Sequence, residues 1–189
     1  MKVLCINGSP KRNGSSSMLI DEIIDGMGET NVSVTIHHLG DMKINYCIGC
    51  KNCHRTGKCI QNDDVDIIIQ DLIKADLVII ASPSYWGDIT GQLKVFFDRN
   101  TPYSDTNPNE NKLQIPHGKI GLAVAVRAGQ TDRENIHILE SIEHYFGHLG
   151  IKPIGRLSIK GVDTIEDLLQ KPEDIKKAYE LGKGLYEAV

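Results

Sequence analysis

Residues 2–17 read KVLCINGSPKRNGSSS, and the choice of fold turns on how that stretch is parsed. Lys2–Asn7 is a short apolar run with strand character, Gly8 stops it, and helical periodicity begins at Ser16 and continues to Met27. Strand, glycine-bearing turn and helix in immediate succession form the first half of a β–α–β unit. The pattern recurs down the chain. VSVTIHH (32–38), DLVIIAS (76–82), KIGLAVAV (119–126) and KPIGRLSI (152–159) read as further strands. Between them, Asp64–Ala75, Thr90–Arg99, Asp132–Leu149 and Pro172–Ala188 carry helical spacing. The first, third and fourth strands are nearly unbroken in apolar residues, as strands covered on both faces must be. A doubly wound parallel α/β sheet with helices on both faces is therefore expected, and 189 residues suit a single domain of that kind. One irregular stretch stands out, NTPYSDTNPNENKLQIPHG (100–118), longer than a connection needs to be.

A formal net charge of −4, with no block of Lys or Arg, argues against a nucleic-acid surface. No apolar run is long enough for a bilayer span or a secretory signal, so a cytoplasmic protein without membrane contact is expected.

In a parallel sheet the ligand sits beyond the carboxyl ends of the strands, which directs attention to three turns. GSPKRNGSSS (8–17) combines glycines, hydroxyls and a helix start, the makings of a phosphate site built from backbone N–H groups. It ends in no Gly-Lys-Ser/Thr and contains no G-x-G-x-x-G, so it suits a terminal phosphomonoester; the plainer reading is a turn that caps a helix. SPSYWG (82–87) places Tyr85 and Trp86 where they can flank a planar ring, or plug the helix that follows. RAGQTD (127–132) supplies a third short turn.

Four of the five cysteines lie in CIGCKNCHRTGKC (47–59). In a reducing compartment such a cluster points to metal or redox chemistry ahead of disulfides. Its spacing, C-x2-C-x2-C-x5-C, is compact like an iron–sulfur motif and unlike paired zinc knuckles. Iron–sulfur, zinc and bare-thiol readings all stay open on spacing alone. Other chemical-looking groups have simpler roles: Cys5 in a core strand, Asp63 and Asp64 capping a helix, and Asp98 and Arg99 in local pairing. His54 reads as an exposed loop residue, and His137, His144 and His148 share one face of a helix that is solvated or at an interface.

The segments INGSPKRNGSSS, CIGCKNCHRTGKC followed by NDD, and ADLVIIASPSYWGDITGQLKVFFDR together resemble the NADPH-dependent FMN reductase family, and within it the iron–sulfur flavoproteins. The likeness is close over roughly the first hundred residues and a matter of pattern beyond. It implies a flavodoxin-like five-stranded sheet ordered 2-1-3-4-5, bound FMN, and NAD(P)H or a ferredoxin-like protein as electron donor to a small-molecule or protein acceptor. By position it assigns Ser9, Lys11, Asn13, Ser15, Ser16 and Ser17 to the FMN phosphate, and Pro83, Ser84, Tyr85 and Trp86 to the isoalloxazine. Ala128, Gly129 and Gln130 form the third loop. Ser84 departs from the aliphatic residue common at that position. The resemblance further implies one [4Fe-4S] cluster on Cys47, Cys50, Cys53 and Cys59, and chemistry at the flavin N5 with no side-chain acid. The alternatives are a cluster-free NAD(P)H:flavin or quinone reductase and a non-catalytic electron carrier or redox sensor. A homodimer or homotetramer is expected, with 100–118 covering a neighbour's flavin.

Overall fold

The computed structural model describes residues 1–28 and 31–187. β1 (Lys2–Asn7), α1 (Ser15–Met27), β2 (Ser33–His38), α2 (Asn52–Thr56), α3 (Val65–Lys74) and β3 (Leu77–Pro83) follow one another, with a 3-10 turn at Leu39–Asp41. Then come α4 (Gly91–Arg99), a 3-10 turn at Thr101–Tyr103, β4 (Ile120–Arg127), α5 (Arg133–His148), β5 (Lys152–Lys160), α6 (Ile165–Leu169) and α7 (Pro172–Glu187). The five strands are all parallel, in the order β2-β1-β3-β4-β5, the flavodoxin-like arrangement. The expected helix at 172–188 thus forms, its position 188 lying outside the described residues. Helices α2 and α6 went unread in the sequence because five residues hold little more than one turn and show no periodicity.

Side-chain alternation sorts the strands into two layers. Leu4, Ile6, Val78, Ile80, Ala123 and Ala125 face α3, α4 and α5. Val3, Cys5, Leu77, Ile79, Leu122 and Val124 face α1 and α7. Cys5 is fully enclosed, and burial, with Asp21 nearby, pushes its thiol up to about 12. On this second face α1 and α7 meet backbone to backbone. A Cβ at Gly26 would stand 2.0 Å from the Tyr179 carbonyl oxygen, and one at Gly182 would stand 1.9 Å from that of Ile23. Only hydrogen fits at either place.

β1 pairs with β2 on one side and β3 on the other, so successive crossovers leave in opposite directions and the loops after β1 and β3 part to form a crevice. The 100–118 stretch is tied down by its own chain. Asn107 Nδ2 donates to the Cys53 carbonyl at 3.3 Å and Asn109 Nδ2 to that of Arg55 at 2.8 Å, while Lys112 Nζ closes the loop through the Ser104 and Asn107 carbonyls at 2.6 and 2.8 Å. It is a buttress for the cysteine segment. Among the described residues no helix is long and apolar enough to cross a membrane.

Candidate functional site

The loop between β1 and α1 is organised by Asn7, which is fully buried. Its Oδ1 accepts from Ser9 N–H at 2.9 Å and its Nδ2 donates to Ser17 Oγ at 2.8 Å. Ser9 Oγ in turn accepts from Lys11 N–H at 3.1 Å. Two serine hydroxyls are used inside the protein: Ser15 Oγ donates to the Thr164 carbonyl at 3.1 Å, and Ser17 Oγ donates to that of Arg12. Ser9 and Ser16 are buried, and Lys11 and Asn13 are exposed. Among the described residues no side chain caps α1, and its first turn contains no acidic residue. Ser17 and Met18 N–H bond back to Gly14 O, at 3.0 and 3.1 Å, which leaves the leading amides of the helix for an outside acceptor. A cavity of about 320 Å³ opens beside this loop, lined by Arg12, Asn13, Gly14 and Ser17 and by His38 and Asp21.

Thr90 ties this loop to the next. Its Oγ1 donates to the Gly8 carbonyl at 2.6 Å and its N–H to Ser82 Oγ at 3.1 Å, and it caps α4 through Leu93 N–H. Between β3 and Thr90 the chain makes a tight turn. Tyr85 and Asp88 exchange backbone bonds of 3.0 and 3.2 Å around Trp86 and Gly87, whose φ values are 56° and 80°. Positive φ at both central residues is the mirror-image hairpin turn, which a tryptophan adopts only with strain. Trp86 is entirely exposed.

Ser84 N–H donates to the Val126 carbonyl at 2.7 Å, and Ser84 Oγ to Glu134 Oε2 at 3.0 Å. The same carboxylate oxygen lies 3.0 Å from Arg127 Nη2, and Arg127 Nη1 reaches Thr131 O at 2.9 Å. Arg127 lies across Gly129, where a Cβ would stand 2.2 Å from its Nη2. Ser84 is therefore the anchor that locks the aromatic turn to the loop after β4. Glu134 and Arg127 complete that lock and were not singled out in the sequence; the polar residue at position 84 was the available signal. Ala128 and Gln130 flank Gly129 in that loop.

The four clustered cysteines are all free thiols, Cys47 and Cys50 exposed, Cys53 and Cys59 half-buried. They line one cavity of about 30 Å³ together with Ile48, Ile60, Asp98 and Arg99. Burial raises the Cys53 thiol, and the neighbouring Cys59 and Cys47 push the same way against its backbone hydrogen bonds. Among the described residues no three His, Cys, Asp or Glu side chains are gathered about one point as ligands of a single ion. The four thiols supply soft donors around one cavity, the donor chemistry that a cluster bound through four cysteines would need.

Arg99 corrects the expected local pairing. Its guanidinium is 2% exposed and grips Asp63, itself 5% exposed, through Nη1 to Oδ2 at 2.5 Å and Nη2 to Oδ1 at 3.1 Å, with Nη1 also on the Asn45 carbonyl at 2.8 Å. Asp98 does pair locally, with Lys94 one turn away. Burial works against both charges, yet their mutual bonds prevail: Asp63 stays below the usual carboxylate range and Arg99 above its ordinary value. Asp63 also accepts from Val65 N–H at 3.2 Å at the start of α3, whereas Asp64 leaves the helix to accept from Lys43 N–H at 2.7 Å. α4 begins at the aromatic turn and ends at the cysteine cavity, and its nine residues set the two about 13 Å apart along the axis. His54 is half-buried beside the buttress loop. His137, His144 and His148 line a groove of about 580 Å³ between α4 and α5, which meets the aromatic turn at Asp88 and Ile89.

Order of strands, three loops braced at their carboxyl ends and an uncapped helix N-terminus define a flavodoxin-like protein. The chain belongs to the NADPH-dependent FMN reductase family, a family of flavin oxidoreductases, whose pattern matches residues 1–161. Among its relatives, an iron-sulfur flavoprotein of Archaeoglobus fulgidus is 34% identical over 188 residues, covering 100% of this chain and 80% of that protein. An iron-sulfur flavoprotein of Methanocaldococcus jannaschii is 35% identical over 146 residues, 77% of this chain and 72% of the relative. Among solved structures, a flavone reductase superposes with a TM-score of 0.76 at 19% identity, over 100% of this chain and 62% of its own.

Proposed function

We propose that this protein is an FMN-dependent oxidoreductase that passes electrons from NAD(P)H or a ferredoxin-like donor through FMN to a [4Fe-4S] cluster held by Cys47, Cys50, Cys53 and Cys59. The observation that carries the reading is the cross-tie at Thr90, which sets an uncapped helix N-terminus and a two-aromatic turn side by side at the switch point of the sheet. When bound, FMN supplies two-electron chemistry at N5 and its conversion to single electrons, and the cluster supplies one-electron storage.

The chain's own residues do the binding and positioning. The leading amides of α1 donate to the terminal phosphate, with the helix dipole in their favour, and Lys11 adds charge from the rim. Ser15 and Ser17 act through the backbone geometry they fix, since their hydroxyls are engaged elsewhere. Pro83, Ser84, Tyr85 and Trp86 line the ring, held by the bond from Ser84 to Glu134, and Ala128, Gly129 and Gln130 border it from β4. With no side chain serving as a general acid, the protein's contribution is placement, exclusion of water and tuning.

Anaerobic purification followed by flavin, iron and sulfide assays tests the reading. FMN released by heat, with iron and sulfide in equal amounts, is the expected result. Cys50→Ser and Cys53→Ser should abolish cluster absorbance and one-electron acceptor activity while FMN stays bound. FAD in place of FMN would sink the phosphate-loop assignment. Reconstituted wild type without iron or sulfide would leave a cluster-free NAD(P)H:flavin or quinone reductase.

A further inference from the structure

We infer that Arg99 is a positioning residue for the four-thiolate centre: clasped by Asp63, it holds a guanidinium and an N–H donor at the wall of the cysteine cavity and so raises the reduction potential of the cluster held there. The inference rests on the cluster reading above.

Arg99 lines the same cavity as the four cysteines. Its two terminal nitrogens are committed to Asp63 and Asn45. The third donor, Nε–H, is buried and has no acceptor among the described residues. A buried N–H left unpaired costs as much as a lost hydrogen bond, and native proteins seldom retain one without a use for it. The fork geometry that orients this donor belongs to arginine alone, because a lysine clasped by Asp63 would have nothing left at that height along the side chain.

The clasp also sets where the cysteines stand. Asp63 accepts from Asn45 N–H at 3.0 Å and Asn45 Nδ2 at 3.1 Å, so a single carboxylate joins the chain just before Cys47 to the chain just after Cys59. Arg99 closes that junction from α4. Charge and hydrogen bonds beside cluster sulfurs, together with exclusion of solvent, are the protein's levers on potential. Asp63 neutralises most of the far field of Arg99, so the local N–H donor is the lever at work here.

Wild type, Arg99→Lys and the double variant Arg99→Gln/Asp63→Asn, all reconstituted anaerobically with ferrous iron and sulfide, decide the matter. Iron content, circular dichroism and the cluster midpoint, from a redox titration followed by electron paramagnetic resonance, are read on each. Both variants should fold and bind FMN, show a midpoint lower than wild type, and bleach severalfold faster in air. Folded variants that no longer take up iron would assign Arg99 to the clasp that seats the cysteines and overturn its role in setting the potential. Wild-type iron content with an unchanged midpoint in either variant overturns it while leaving the cluster reading intact. Loss of the fold in both variants would assign Arg99 to the clasp alone and likewise overturn it. Wild type that takes up no iron defeats the cluster reading itself, a result recognisable before any variant is compared.

Discussion

Trp86 is the only tryptophan in the chain, and it stands in solvent with φ at 56°. Left-handed backbone at a bulky residue costs roughly 1–2 kcal/mol, and such strain persists where it serves a site. Because no other indole contributes, its emission reads the aromatic turn directly. Adding FMN to flavin-free protein should quench that emission severalfold, saturating at one flavin per chain. Undiminished emission with flavin bound would place the ring elsewhere. The exposed turn at position 86 was legible because two adjacent aromatics at a strand end are conspicuous in any sequence. The bond between Arg99 and Asp63 was not, since the partners stand thirty-six residues apart and each sits next to a plausible local partner or role. Breaking that pair on one side should cost about 3–5 kcal/mol, which explains why the chain tolerates burying it only as a pair.

Among the elements, α1 is the one on which the proposed phosphate site depends, and it packs backbone to backbone on α7. Gly26 and Gly182 let the two helices touch at backbone distance. Gly182→Ala should destabilise the protein by about 1–3 kcal/mol in a denaturant melt and weaken FMN retention, although residue 182 is remote from the phosphate loop. Gly184→Ala is the control, since a Cβ there meets nothing: it should leave FMN retention unchanged and, as glycine to alanine within a helix, stabilise by about 0.5–1 kcal/mol. Equal effects of the two substitutions would remove the close contact from the account. The three central strands were readable from apolar runs because burial on both faces leaves no other composition. The contact of α1 with α7 was not, because a glycine in a helix looks the same in sequence whether it faces water or another backbone. The 100–118 stretch was recognised as more than a connection, yet its asparagines complete the cysteine segment of their own chain, a role that only the three-dimensional neighbours disclose.

At the scale of the molecule, large apolar side chains stand exposed beside the cysteines, Tyr46, Ile48 and Ile60 at 76%, 66% and 56%, as Trp86 does at the aromatic turn. Patches of this kind are normally covered by a partner, and a second copy of the chain is the partner always at hand. Light scattering should therefore report a dimer or tetramer, with Ile48→Asp or Ile60→Asp shifting the mass toward monomer. A monodisperse monomer at working concentration would refute assembly. The close seat of α7 on α1 has a further consequence, for the order in which a growing chain acquires its properties. The ribosome makes α1 well before α7, which follows the entire sheet, so until α7 emerges the flank of α1 that carries Gly26 lacks its neighbour. A nascent chain can therefore complete its strand order before α1 is seated, and on the reading proposed above flavin capture waits for the arrival of Gly182.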